Sequence, residues 1–177
     1  IDKSLPRLRY LDDIFGASLR TLYSTAQAVE DATRQADLVI GAVLIPGAAA
    51  PKLIRREHLA RLRPGAVLVD ISIDQGGCFE SSKATTHQAP TYDVDGIVHY
   101  CVANMPGAVP HTSTFALNNA TLPFILALAD KGWQRACREN PHLAAGLNVR
   151  AGEITCQMVA EALGLPYREP KAFLAAD

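Results

Sequence analysis

Asp70-Ile-Ser-Ile-Asp-Gln-Gly-Gly77 is the stretch of this sequence best equipped for chemistry. It follows an apolar run, Gly65-Ala-Val-Leu-Val69, that reads as a buried strand. An acid, Asp74, then stands beside a glutamine and two glycines just past the strand end. In an open parallel sheet, ligands bind outside the carboxyl ends of the strands. A carboxylate there can orient or deprotonate water, and in a water-poor pocket its pKa would rise. The same residues also suit an ordinary strand exit with a Gly-Gly turn, so both readings stand on this segment alone.

Two more loops share this form. Leu44-Ile-Pro-Gly-Ala48 and Asn104-Met-Pro-Gly-Ala108 each follow an apolar run. In a doubly wound sheet all three loops lie on one rim, where bare backbone can approach a flat ring closely. Any one Pro-Gly pair is ordinary turn chemistry, whereas three at equivalent positions favour a ligand rim. Asp2 is a separate case, just before a helix. It reads either as a helix N-cap or as the acid that bonds the ribose hydroxyls of NAD in a Rossmann unit. No glycine-rich fingerprint precedes it. Lys83 is near enough in sequence to fold back toward the rim, although loop lysines are usually solvated. His87, His99 and His111 fit structural roles better than catalytic ones.

The elements that must position these residues follow from periodicity. Leu8, Leu11, Ile14 and Phe15 share one face of a helix over 7–15 that Gly16 stops. Leu19–Tyr23 reads as a short strand. Ser24, with Gln27 three residues on, forms a capping box for a helix reaching about Gln35. The uninterrupted apolar run Leu38–Leu44 suits a strand buried on both faces, ended by Pro46-Gly47. A short helix over Arg55–Leu62 and strands over Val67–Ile71 and Ile97–Ala103 follow. From Thr112 the pattern is helical, with Pro123 expected to kink or divide the helix. Further helices are expected over Trp133–Glu139 and Ile154–Leu163. Strands alternating with helices argue for parallel βαβ units, so the fold class is α/β with a Rossmann-type, doubly wound parallel sheet. The expected division is a nucleotide-binding part over 1–110 and a helical part over 111–177.

Composition bounds the function. The 177 residues are about one domain's worth, with 49% apolar and 20% charged residues. A net charge of -1 gives no basic surface for nucleic acid or anionic lipid. No apolar run approaches the roughly 20 residues of a membrane span. Four cysteines at irregular spacing read as free thiols in a reducing, cytoplasmic compartment, and five histidines show no metal-ligand spacing. The first residue is Ile rather than Met, which reads as the interior of a longer chain.

Four long, irregular strings carry a resemblance: Asp37–Gly47, Val69–Glu80, His99–Pro110 and Thr112–Pro123. They resemble alanine dehydrogenase, and the likeness runs from Asp2 to about Leu165. The nicotinamide-domain subunit of proton-translocating transhydrogenase shares the Leu-Ile-Pro-Gly loop. It typically carries Glu or Gln where Asp74 stands, and lacks the full Asn-Met-Pro-Gly-Ala-Val-Pro string. The resemblance implies NAD-dependent oxidative deamination of L-alanine to pyruvate and ammonium by a homohexamer.

The likeness also implies residue roles. Asp74 matches the active-site acid beside the nicotinamide. Asp2 matches the acid on the adenosine ribose, with Arg7 and Ser24 on the adenine side. Val43 and Leu44 match the loop under the cofactor. Ile71, Ser72, Ile73 and Asp74, with Val102, Ala103, Asn104 and Met105, match the nicotinamide-side loops. Lys83 falls where the family more usually has an arginine, a substitution that alters hydrogen-bond geometry. The family's substrate domain and glycine fingerprint would precede Ile1. The chain alone is then an incomplete Rossmann sheet, inactive by itself, with a nucleotide-binding remnant as the alternative reading. The strand at Leu19–Tyr23 would lie across a gap from that at Leu38–Val43, leaving two open edges.

Overall fold

Short runs of branched apolar residues build the sheet on which the site depends. In the computed structural model, which describes residues 1–45 and 49–174, three parallel strands form its body: β1 (Leu38–Gly41), β2 (Val67–Asp70) and β4 (Ile97–Tyr100). Strand β3 (Thr91–Val94) adds to β4 antiparallel, giving the order β1-β2-β4-β3. The register pairs Gly41 with Asp70 and Val69 with Tyr100, so the three parallel strands end at one edge. The fold is α/β, as expected. The chain forms two compact units, Ile1–Leu44 with Ala50–Ala103, and the remainder.

In the first unit, helix α1 (Leu5–Phe15) starts where Ser4 Oγ accepts the Arg7 amide, and it stops at Gly16, whose φ is 50°. Of its expected apolar face only Leu8 is buried. Helix α2 (Ala26–Arg34) is capped by Thr25, which accepts the Ala28 amide, and not by Ser24. Gln27 instead donates to Asp31 at 2.9 Å, one helical turn on. Leu19–Tyr23 is not a strand. Only Tyr23 makes a parallel bridge, to Asp2. Leu38 and Ile40 are 56% and 57% exposed, so β1 is covered on one face and not on both. The expected helix over 55–62 is a 3-10 stretch, Arg56–Arg61.

Strand β3 was not expected, although Asp95-Gly96 signals it. Both residues have positive φ (55° and 80°), the conformation of a two-residue hairpin turn. One core gathers Val29 of α2 with Ile54, Leu59, Leu62, Leu68, Phe79 and Ile97. Burying each of these large side chains contributes roughly 1.5–3 kcal/mol. Gly41 lies where a Cβ would stand 2.2 Å from Cys78 Sγ and 2.7 Å from Phe79 Cζ, so β1 closes directly on the Cys78 and Phe79 side chains.

The second unit is mostly helical. Helix α3 (Pro110–Glu139) passes through Pro123 with helical backbone and breaks instead at Gly132, with φ 72° and ψ 159°. Proline removes one helical hydrogen bond, whereas a positive φ cannot continue the helix at all. The piece after the break is the expected helix over 133–139. Helix α4 (Pro141–Ala145) follows, capped by Asn140. A hairpin, β5 (Val149–Arg150) with β6 (Glu153–Ile154), takes the start of the helix expected from Ile154, so α5 covers only Gln157–Leu163. Phe115, Leu117, Ile125 and Leu126 of α3 are all more than half exposed. No helix of the described residues is long and apolar enough to cross a membrane.

Three outcomes are expected. Residues 1–177 expressed alone should self-associate, because α3 and β1 leave apolar surface uncovered; light scattering after size exclusion would read this, and a sharp-melting monomer would contradict it. In the full-length protein, Gly41→Ala should lose about 1–3 kcal/mol in urea unfolding from overpacking against Cys78 and Phe79. Burial, with the Asp70 carboxylate beside it, pushes the Cys78 thiol up to about 12. The folded state therefore keeps a proton that the unfolded thiol loses, and this contribution to stability falls as pH rises from about 8.5 toward 12. At pH 8 iodoacetamide should label Cys156 well before Cys78, read by peptide mass spectrometry.

Candidate functional site

Asp70, the last residue of β2, organises the rim. Its side chain is fully buried and takes five donors: the amides of Ser72 (3.0 Å), Cys78 (2.8 Å) and Phe79 (3.3 Å), the Ser82 hydroxyl (2.5 Å) and the Cys78 thiol (3.4 Å). Those donors wrap the chain from 71 to 82 around one carboxylate. Within the wrap, Ile71–Gln75 forms a 3-10 turn that carries Asp74 in its first turn and ends at Gly76 in the left-handed conformation. Asp74 is exposed, while Ser72 and Ile73 are buried beneath it. Ile71 is half exposed. Ser72 Oγ donates to the Val43 carbonyl at 2.8 Å, which ties the exit of β1 to the turn that bears the acid. Leu44, next along, is exposed.

Cys101 and Val102 leave β4 fully buried, and Thr85 lies beside Val102, its amide donating to Cys101 O at 2.9 Å and its carbonyl accepting from the Ala103 amide at 3.1 Å. Val102 therefore offers no side-chain surface, while Ala103 is exposed. The expected Pro46-Gly47-Ala48 portion of the first loop lies outside the described residues. In the second unit Asn104 takes a left-handed conformation, and Met105 begins a 3-10 turn, Met105–Ala108.

Asp2 and Ser24 are held side by side. The Asp2 amide donates to Leu22 O (3.2 Å), and the Ser24 amide donates to Asp2 O (2.9 Å). Asp2 Oδ1 accepts the Ser4 amide at 2.7 Å, and it is Ser4, not Asp2, that caps α1. Ser24 and its neighbour Thr25 line a cavity of about 410 Å³ with Lys3, Lys52, Arg55 and His58. Arg7 stands away from that cavity lining, its guanidinium 5.0 Å from the Tyr10 ring. Lys83 is exposed, its ammonium 4.4 Å from the Tyr92 ring centroid and its amide donating to the Tyr92 hydroxyl at 2.8 Å. Tyr92 in turn stacks on His99 at 5.0 Å. Burial, with Cys101 beside the hydroxyl, raises the Tyr92 pKa, so it stays a neutral phenol.

His99 and His111 sit in plain structural settings. His99 is fully buried, between the Ile97 carbonyl (2.9 Å) and the Ser81 hydroxyl (2.7 Å). A carbonyl only accepts, so Nδ1 carries the proton and Ser81 donates to Nε2. His111 sits exposed in the first turn of α3, beside Phe115. Among the described residues no group of His, Cys, Asp and Glu could hold a metal.

Two observations bear on a dinucleotide. Gln75 Oε1 is buried without a hydrogen-bond partner among the described residues, a group that costs roughly 1–3 kcal/mol until a donor arrives. Gly76 faces open space where a Cβ would be, leaving its backbone approachable. An amide-bearing ring ligand suits both. A residue at this turn that spacing did not reveal is Lys52, whose ammonium reaches the Gly76 and Gly77 carbonyls from 24 and 25 residues away. No local pattern could have found it.

Residues 1–157 match the family described as "Alanine dehydrogenase/PNT, C-terminal domain". An alanine dehydrogenase of Halomonas elongata is 63% identical over 174 residues, covering 98% of this chain and 47% of its own length. One from Mycobacterium tuberculosis is 54% identical over 175 residues, again 47% of its length. Among solved structures, an L-alanine dehydrogenase superposes with a TM-score of 0.79 at 46% identity, over 92% of this chain and 45% of that one. A transhydrogenase from Sinorhizobium meliloti gives 0.50 at 29% identity over 61% of this chain. The chain spans about half the length of the curated relatives it matches. On this match across most of its length, the chain belongs to the C-terminal domain family of alanine dehydrogenases and pyridine nucleotide transhydrogenases.

Proposed function

We propose that this chain is the cofactor-holding half of an NAD-dependent alanine dehydrogenase, which converts L-alanine and water to pyruvate and ammonium. The observation that carries the reading is Asp74. It is an exposed carboxylate on a turn pinned from beneath by Ser72 and Asp70, at the edge where three parallel strands end. Bound NAD supplies the hydride acceptor. Asp74 orients the water that attacks the imine carbon of oxidised alanine and accepts its proton. Ile71 to Asp74, Val102 to Met105, and Val43 with Leu44 serve the nicotinamide side. Asp2 takes the adenosine ribose, with Ser24 and Arg7 on the adenine side and Lys83 as a further basic contact. An acid at position 2 favours NAD over NADP, whose extra phosphate it repels.

In this reading residues 1–110 form the nucleotide domain and 111–177 the helical return segment of a cytoplasmic homohexamer. The exposed apolar residues of α3 support a partner surface there. The transhydrogenase reading has weaker support, from a likeness of 29% identity over 61% of the chain. A nucleotide-binding remnant without chemistry is separated from the enzyme by assay of the full-length protein.

In the full-length enzyme, Asp74→Asn should lower kcat by about 100-fold or more while NADH binding, read by fluorescence titration, changes little. Near-normal turnover would remove Asp74 from the mechanism.

A further inference from the structure

We infer that Lys52 is a positioning residue for Asp74, acting through the peptide unit between Gly77 and Cys78. The inference rests on the dehydrogenase reading above. That one peptide is bracketed by opposite charges. Its carbonyl accepts from Lys52 Nζ at 2.7 Å, and its N–H donates to Asp70 Oδ2 at 2.8 Å. Lys52 also donates to the Gly76 carbonyl at 2.5 Å. The neighbouring chain sets this reach: Ala50 N donates to Gln75 O (3.0 Å), Leu53 N to Cys78 O (2.7 Å) and Glu80 N to Ile54 O (2.8 Å). Segment 50–54 thus runs beside 75–80, with Lys52 opposite the glycine pair.

The turn needs such a clamp. Gly76 and Gly77 both have positive φ, 85° and 74°. Glycine visits either sign of φ with little cost, so hydrogen bonds set the orientation of this pair: the Gly77 amide donates to Ser72 O at 3.0 Å, and the two carbonyls accept from Lys52. A Cβ on Gly77 would stand 2.7 Å from Asp70 Oδ2, so a bulkier residue cannot stiffen the turn from that side. Asp70 fixes the amides that follow the pair, and Lys52 fixes the carbonyl orientation within it. Gly76 in turn closes the Asp74 turn, its amide donating to Ile73 O at 3.0 Å. With Lys52 gone the two carbonyls lose their partner and only the amide bonds to Ser72 O and Asp70 hold the pair, so the turn that carries the Asp74 carboxylate loosens. Lys52 itself is exposed, so its removal leaves the core intact.

The test uses the full-length protein with Lys52→Met, Lys52→Arg, and Lys52→Met combined with Asp74→Asn. Lys52→Met should lower kcat about 10- to 100-fold, the scale of an ångström-sized misplacement, with KM for alanine and the NADH dissociation constant within about threefold. Lys52→Arg, which keeps a cationic donor, should recover most of kcat. In the Asp74→Asn background Lys52→Met should cost less than about threefold, because it acts through Asp74. Hydrogen exchange at the Cys78 amide should quicken in Lys52→Met. A kcat within about twofold of wild type overturns the proposal, as does a loss that is fully additive with Asp74→Asn or not relieved by arginine. If the wild-type protein forms no NADH from alanine, the dehydrogenase reading has failed instead. Exchange then decides the clamp: faster exchange at Cys78 supports it and unchanged exchange overturns it.

Discussion

A buried carboxylate must be satisfied, and Asp70 sets that demand for this molecule. It lies at zero exposure and, among the described residues, forms no ion pair with a lysine or arginine, so the protein answers with N–H, O–H and S–H groups. Leaving those donors out would cost several kcal/mol for a buried charge. The chain from 71 to 82 has one way to supply them all, which is to curl around the end of β2. The 3-10 turn, the left-handed glycines and the close approach of Gly41 to Cys78 and Phe79 all follow from that curl. Stability and site geometry are therefore set by the same group.

The sheet contributes direction. Parallel pairing of β1, β2 and β4 brings their carboxyl ends to one edge, and Ser72 stitches two of the exits together through Val43. The hairpin of β3 and β4 adds a second layer of order behind Lys83, through the Tyr92 ring and hydroxyl. A lysine lying on an aromatic face keeps its charge while losing much of its wandering. Such preorganisation matters most where a ligand group must meet it without rearrangement.

Much of this was legible in the residues. The apolar runs at 38–41, 67–70 and 97–100 announced their strands, and the spacing of Leu8 and Leu11 announced α1. Misses arose where two local options were close in energy. Ser24 and Thr25 are both competent caps, and the backbone at Asp2 takes the Ser24 amide, leaving Thr25 to cap α2. Leu19–Tyr23 has strand composition but only Asp2 beside it, so pairing stops at one bridge. Strand β3 was hidden because Tyr92 and Val94 are diluted by Asp93, even though the Asp95-Gly96 turn was in plain view. The role of Lys52 was beyond any local pattern, since its partners lie 24 and 25 positions away and depend on tertiary register. Placement of Asp74 on a strand-end turn was legible, whereas the scaffolding under it was not.

Gly132 determines the route of the chain's last quarter. A straight rod over the 30 residues from Pro110 to Glu139 would extend about 45 Å. The positive φ at one residue turns that rod into an elbow, with Trp133 just beyond it against Arg150 at 5.0 Å. A side chain at 132 would favour straightening and carry the hairpin and α5 off on a different heading. A single missing methyl group thus sets where the second unit's chain changes direction.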